Sequence, residues 1–340
     1  MPGILSTRAL RGSTSNGPGM ALRTALCDLL DIRVPLLNAP MTPQAGGELA
    51  RAVGAAGAFG MLGFDEDESA EAIAQQAEIA RGGGTPFGIG LAAWVLERRP
   101  ELLDVALAAR PALVSISFGD PAPYVARLHS AGILVAAQVQ NRTWARAALD
   151  AGVDLLVAQG TEAGGHIGSV GTLPLLQLVL EMTRKPVLAA GGIVTGRGFA
   201  AVLAAGAAGA WIGTPFLLAR ESRTADAARD RLIASDETQT IYTSVYDRVQ
   251  GKPWPPEFRG RALRNAFVER WHEREDELVA TPDAVAEFRD AKRAGDYSRA
   301  HIYAGQSVGA LDRVEGAAEI VARLERDATD RIVACRTLLA

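Results

Sequence analysis

The sequence predicts an α/β fold, a (β/α)8 TIM barrel with a helical insertion after the eighth strand. Three observations carry the prediction. Eight short aliphatic runs recur along the chain, each the length of a strand buried on both faces. Helical patterns fill the gaps between them. An Ala-Gly pair precedes several runs, at 56–57, 131–132, 151–152 and 208–209. Such a pair reads as a helix ended by a left-handed glycine, followed by a quick turn into the next strand. This alternation requires a parallel sheet with right-handed crossovers, and eight units favour a closed barrel over an open doubly wound sheet.

Residues 1–19 are polar, carry Gly, Ser and Arg, and lack an apolar signal core, so a disordered tail is expected there rather than a secretory signal. Met20, where the periodic sequence begins, is a second candidate start. The barrel is expected over 20–222, with strands at 34–38, 58–62, 87–91, 113–117, 133–137, 154–158, 187–190 and 210–213. Helices are expected at 70–81, 101–110 and 124–130, among others. Beyond 222 the beat breaks, and 223–300 reads as a helical insertion or subdomain. Within it, 237–264 holds Tyr242, Tyr246, Trp254 and three prolines without periodicity. That composition marks an ordered loop, either a lid or a subunit contact of a homodimer. Charged amphipathic helices are expected at about 262–280 and 282–294. Residues 301–340 form a return segment and a final helix, about 314–339, packed on the barrel exterior.

At 340 residues the chain could hold two average domains, yet barrels of this kind run past about 250 residues as one. Its hydrophobic share of 48% is ample for a large core. A net charge of −4 with mixed signs gives no reason to expect nucleic acid or an anionic membrane surface. No apolar run reaches the ~20 residues of a membrane span. Cys27 and Cys335 have no metal-ligand spacing, suit a reducing cytoplasm, and read as small hydrophobes.

A barrel puts its chemistry on the loops after the strand C-termini. The polar and Gly-rich residues fall there: Asn38-Ala39-Pro40-Met41 after the first strand, Ser117-Phe118-Gly119 after the fourth, Gln138 to Asn141 after the fifth. After the sixth comes a run from Gln159 to Gly168 with four glycines, Glu162 and His166. Such glycine density implies unusual φ/ψ or a close approach. Thr172 is read as the N-cap of the helix that follows, with Pro174 in its first turn. Gly-rich loops also serve as plain tight turns, and lone histidines are often structural. Histidine nevertheless titrates near neutrality, and one flanked by glycines is expected to have nothing to pack against. His166 is therefore the candidate catalytic residue. Gly191 and Gly192 after the seventh strand, with Gly213 and Thr214 after the eighth, suit a phosphate held by backbone N–H groups. With no Gly-x-Gly-x-x-Gly turn after an early strand, that site fits a single-phosphate cofactor.

The combination of Asn38-Ala-Pro-Met41, Ser117-Phe-Gly119, Ala158-Gln-Gly-Thr-Glu-Ala-Gly-Gly-His166, Ala190-Gly-Gly-Ile193 and Gly213-Thr214 resembles the nitronate monooxygenases, formerly called 2-nitropropane dioxygenases. The resemblance runs from about residue 25 to about 315 and includes Tyr303 to Gly309, which looks like the family's second flavin-contacting segment. Gln-Gly-x-Glu-Ala-Gly-Gly-His is shared mainly with the FMN-dependent enoyl-acyl-carrier-protein reductases. The resemblance implies a barrel that binds FMN, its phosphate on the seventh and eighth loops. Ala39, Pro40, Met41, Ser117, Gln138, Gln159, Gly160, Gly164, Gly165 and Gln306 would contact the cofactor, and His166 would stand beside its ring. One departure is visible. The family usually follows its third strand with Gly-Val-Asn-Leu, whereas this chain has Gly88-Ile89-Gly90-Leu91, so Gly90 replaces an asparagine that lines the active site.

Three functional readings stand on these residues. The first is FMN-dependent oxidation of nitronates with O2 to a carbonyl compound and nitrite, the small-molecule substrate and O2 being the partners. The second is an NAD(P)H-dependent FMN reductase of enoyl thioesters or quinones. The third is an inactive flavin-binding barrel, disfavoured because His166 and its glycines are intact. His166 would hydrogen-bond the anionic nitro group, act as base on a neutral nitroalkane, or merely orient the flavin. Glu162 is read either as a flavin contact or as a salt bridge holding the loop. Of the other histidines, His129 is expected to cap a helix C-terminus, His272 to lie on a solvated helix face, and His301 to lie at the surface.

Overall fold

A computed structural model describes residues 21–64 and 66–339; the tail expected at 1–19 and the alternative start at Met20 lie outside the described residues. The strands are β1 (Leu36–Asn38), β2 (Gly60–Gly63), β3 (Phe87–Ala92), β4 (Leu113–Ser117), β5 (Leu134–Val139), β6 (Leu155–Gln159), β7 (Gly165–Ile167), β8 (Val187–Ala190), β9 (Gly209–Ile212), β10 (Thr240–Thr243) and β11 (Arg259–Leu263). Eight of them pair in parallel in the order β1-β9-β8-β6-β5-β4-β3-β2. A bridge between Leu37 and Phe59 joins the two ends of that order, so the sheet closes into a barrel. β1 starts two residues later than its apolar run because Pro35 has no N–H to give a ladder.

Alternation along the strands sorts the core. Leu37, Met61, Leu113, Val157, Leu188 and Trp211 point inward, and the short helix Ala25–Leu30 closes the floor beneath them with Leu26, Cys27 and Leu30. Outward positions such as Ile89, Val114, Val135 and Leu156 pack under the helices. The helix Ala317–Ala334 lies on Gly196–Ala204, and glycine permits that approach: a Cβ on Gly196 would stand 2.4 Å from Asp327 Cβ. Cys27 is a buried small hydrophobe, whereas Cys335 is exposed and fills no core.

The insertion is less helical than the sequence predicts. β10 and β11 form an antiparallel hairpin, and β11 also pairs with β7, Gly260 opposite His166. The helix expected at 262–280 is a strand end to Leu263, then the short helices Ala266–Trp271 and Glu275–Val279. Locally the charged-apolar pattern suits a helix. Two long-range features override it: the pairing with β10, and Asn265, whose side chain accepts from Val268 N at 3.0 Å and starts a new helix there. A second core of Ile241, Tyr246, Phe267, Trp271 and Phe288 holds the insertion together. Among the described residues no helix is long and apolar enough to cross a membrane.

Candidate active site

A cavity of about 700 Å³ opens at the C-terminal ends of the barrel strands, within the ~300–1,000 Å³ of small-molecule and cofactor sites. It has two unlike ends, one glycine-lined and one aromatic.

At the glycine end, Gly191 and Gly192 hold φ values of 108° and 71°. A Cβ on Gly191 would fall 2.7 Å from Thr172 Oγ1 and 3.0 Å from Ala163 N, so only glycine keeps this turn open. The return segment is tied over the same loops. Gly305 N donates to Thr214 Oγ1 at 3.0 Å, and Ser307 Oγ donates to Gly192 O at 3.0 Å. Gly213 and Thr214 complete this wall. Thr172 is not an N-cap. Gly171 occupies that position in extended conformation. The carboxylate of Glu162 accepts from Thr172 N at 2.8 Å and from Thr172 Oγ1 at 2.9 Å. An anion there complements the helix N-terminus, so Glu162 holds the loop through a helix cap instead of a salt bridge.

Along the floor, Ala39, Pro40 and Met41 follow β1, Ser117 ends β4, Gln138 lies on β5 and Gln159 ends β6; all line the cavity. Ser117 Oγ accepts from Gln138 N at 3.3 Å, and Gln159 Oε1 accepts from Gln140 Nε2 at 2.9 Å. Gly90 is accounted for by its neighbour. A Cβ there would lie 2.4 Å from the Pro40 ring, so Pro40 fills the space a side chain would need. Gly164 and Gly165 line the cavity as well, but two expected contacts do not. Gly160 is pressed against Thr172, where a Cβ would meet backbone at 2.2 Å, and the Gln306 side chain is exposed.

The aromatic end carries the main correction. His166 is packed, only 8% exposed. Its Nε2 lies 2.9 Å from Asp247 Oδ1. One ring face stacks on Trp254, centroids 3.4 Å apart and planes 5° from parallel. Phe118 meets it edge-on at 6.4 Å and Tyr303 lies at 5.4 Å. The cause is β7. Pairing with β11 folds the glycine loop back onto the insertion and brings the imidazole between the helix Val245–Gln250, which bears Asp247, and the Trp254 segment. Tyr303 OH donates to the same Asp247 oxygen at 3.4 Å. A carboxylate accepts, so Nε2 is the donor and Nδ1 is the ring atom left for chemistry.

The remaining histidines also depart from expectation. His301 lines the cavity with Nδ1 buried and unpartnered, against Tyr246 at 5.3 Å and Tyr303 at 5.0 Å. Burial, with the charges of Lys292, Lys252 and His166 nearby, pushes it down to about 3, so its ring is neutral at ordinary pH. His272 is half-buried with Nδ1 3.2 Å from Thr243 Oγ1. His129 pairs with Asp154 Oδ2 at 2.8 Å instead of capping its helix. Trp94, Ser115, Trp211 and His301 all line the cavity and each carries a buried polar atom without a partner. Folded proteins keep few such atoms, and the presence here of four of the seven found among the described residues fits a site shaped for a polar ligand.

Comparison with known proteins agrees with this geometry. The nitronate monooxygenase family model matches residues 91–327. A Mycobacterium tuberculosis protein with a monooxygenase name is 37% identical over 68% of this chain, the match spanning 63% of that protein, under two thirds of its length. A nitronate monooxygenase of Paraburkholderia phytofirmans is 31% identical over 90% of this chain and 95% of its own. A carboxyl-CoA dehydrogenase of M. tuberculosis, named for a hydroxy-methyl-oxo-octahydroindene acyl group, is 34% identical over 74% of this chain and 69% of its own. Among solved structures, FabK from Thermotoga maritima superposes with a TM-score of 0.82 at 28% identity, covering 93% of this chain and 99% of that one. Nitroalkane oxidase from Streptomyces ansochromogenes gives 0.76 at 29% identity, covering 93% and 100%.

Proposed function

The chain belongs to the nitronate monooxygenase family, and on that premise we propose that it oxidises alkyl nitronates, of the propionate-3-nitronate or nitroalkane type, with O2 to a carbonyl compound and nitrite. It is an oxidoreductase of a flavin-using family, and FMN is the flavin proposed. FMN, when bound, supplies the electron-accepting ring and its reoxidation by O2. The residues present fit that group. Gly191, Gly192 and Gly213, with no side chains of their own, form with Thr214 a wall of the cavity whose backbone N–H groups would hold a phosphate. Ala39 to Met41, Ser117, Gln138 and Gln159 line the floor on which a planar ring would lie.

The observation that carries the reading is the His166–Asp247 pair in the wall of that cavity. A nitronate is already a carbanion equivalent, so its oxidation needs no proton abstraction. Asp247 fixes Nε2, which leaves Nδ1 to hydrogen-bond the nitro group as a donor once protonated. The same atom, unprotonated, can take the proton of a neutral nitroalkane. Trp254 and Phe118 keep water from that side of the ring. A cytoplasmic setting goes with this reading, in which both free cysteines stay reduced.

The test is aerobic turnover of propionate-3-nitronate without any nicotinamide, following O2 uptake and nitrite release, with mass spectrometry of the released chromophore. Nitrite formation by a protein carrying FMN is the expected result. An FAD chromophore, or turnover only with NADH or NADPH, contradicts it. The second outcome would favour a nicotinamide-dependent reductase, a reading supported by the carboxyl-CoA dehydrogenase relative.

A further inference from the structure

We propose that Trp254 is a specificity-determining residue: a fixed wall that confines substrates to short chains and holds the imidazole face of His166. The segment that bears it, Lys252-Pro253-Trp254-Pro255-Pro256, has no regular secondary structure. It is nonetheless fixed at several points. Gly251 ends the preceding helix at φ 66°, and Lys252 N donates to Asp247 O at 3.0 Å. Lys252 Nζ lies 3.3 Å from Asp67, which reaches it from the loop after β2, on the other side of the cavity mouth. Downstream, Phe258 is buried against Phe118 at 5.4 Å and Trp144 at 5.7 Å. Three prolines stiffen what lies between, since each fixes its own φ.

Trp254 itself is half-buried and lines the cavity, unlike Trp271, which is buried within the insertion's own core. Its ring touches His166 at 3.4 Å, Trp94 at 5.0 Å and Phe118 at 5.1 Å. Phe64, Leu91 and Val95 also line the cavity and belong with Trp94 to one apolar cluster. An alkyl chain attached to a group held at His166 meets the contact of Trp254 with Trp94, whose rings, 5.0 Å apart between centroids, leave no room for a methylene between them. The stacked indole therefore sets the space available to it. A rigid apolar wall discriminates by size, and one misfitting methylene is worth roughly tenfold or more.

This inference rests on the proposed reaction only for which end of the substrate sits at His166, and its test does not need turnover. A carboxylate has the planar two-oxygen anion of a nitronate and is not oxidised by the same route. Straight-chain carboxylates from propionate to decanoate are titrated into the flavin-loaded protein, and the flavin absorbance change gives each dissociation constant. Wild type should prefer the short members. Trp254→Ala should bind decanoate, relative to propionate, roughly tenfold or more better than wild type does. Trp254→Phe should fall between them, and guards against collapse of the segment in the alanine variant; flavin content checks that both fold. An unchanged long-to-short ratio in both variants overturns the proposal. If the ratio shifts while wild type oxidises no nitronate, the wall stands and the reaction is wrong. If nitronates turn over and the ratio is unmoved, the reverse holds.

Discussion

The glycine end and the aromatic end of the cavity are built by different means. The glycine end is local: two residues in succession, Gly191 and Gly192, take backbone conformations that side chains resist, and the loop after β9 adds Gly213 and Thr214. The aromatic end is assembled from afar. His166 meets Asp247 across 81 positions of sequence and Trp254 across more, and the β7–β11 pairing brings them together. The first is a cradle made by what is missing, the second a constellation made by what is present. The two ends should therefore fail in different ways.

The largest effect is expected at the cradle. Gly192→Leu places a side chain at φ 71° in the wall of the site, at a backbone cost of about 1–2 kcal/mol. The fold should survive and the flavin should not, so the purified variant should be colourless and inactive. Normal flavin occupancy, read by absorbance, would place the phosphate elsewhere. His166→Ala comes next. It should stay yellow while turnover falls by roughly 10²-fold or more, the range for a positioned acid, base or charge-stabilising donor. Near-normal turnover would reduce His166 to a piece of wall. Asp247→Asn is milder, because it keeps the shape and alters only the group that orients Nε2. A fall in kcat of about tenfold with flavin binding retained is expected, below the range for losing the acid–base group outright.

The last effect concerns stability, with none expected on turnover at neutral pH. His301 is held neutral down to about 3, whereas in the unfolded chain it titrates near ~6.5. Between those values the unfolded chain binds a proton that the native state refuses, so stability falls as pH drops through the window. His301→Gln should flatten that fall by up to about 1.4 kcal/mol per pH unit. Denaturant melts of both proteins between pH 6.5 and 4 would show it, and parallel stability curves would refute it.

The same contrast explains what could be read from the sequence. The eight barrel strands are legible because a parallel strand buried on both faces is a continuous apolar run, and the runs at 87–91 and 113–117 lie at β3 and β4. The glycine cradle is legible because glycine pairs announce a backbone demand. β7 is not legible: three residues, Gly165 to Ile167, become a strand only through a partner near residue 260. Without β7, His166 reads as unpacked, and nothing in the sequence marks Asp247. The Trp254 segment stood out for its prolines, but its stacking on His166 has no local signature. Ala262 and Leu263 mislead for a related reason, since the start of a pattern fit for a helix is claimed by the pairing with β10.

The account is tested most directly by mixing the purified yellow protein with propionate-3-nitronate in the absence of O2, with NADH and NADPH in parallel. Bleaching of the flavin by the nitronate alone, with colour restored on admitting air, is the predicted result. Bleaching by a nicotinamide and not by the nitronate would contradict it.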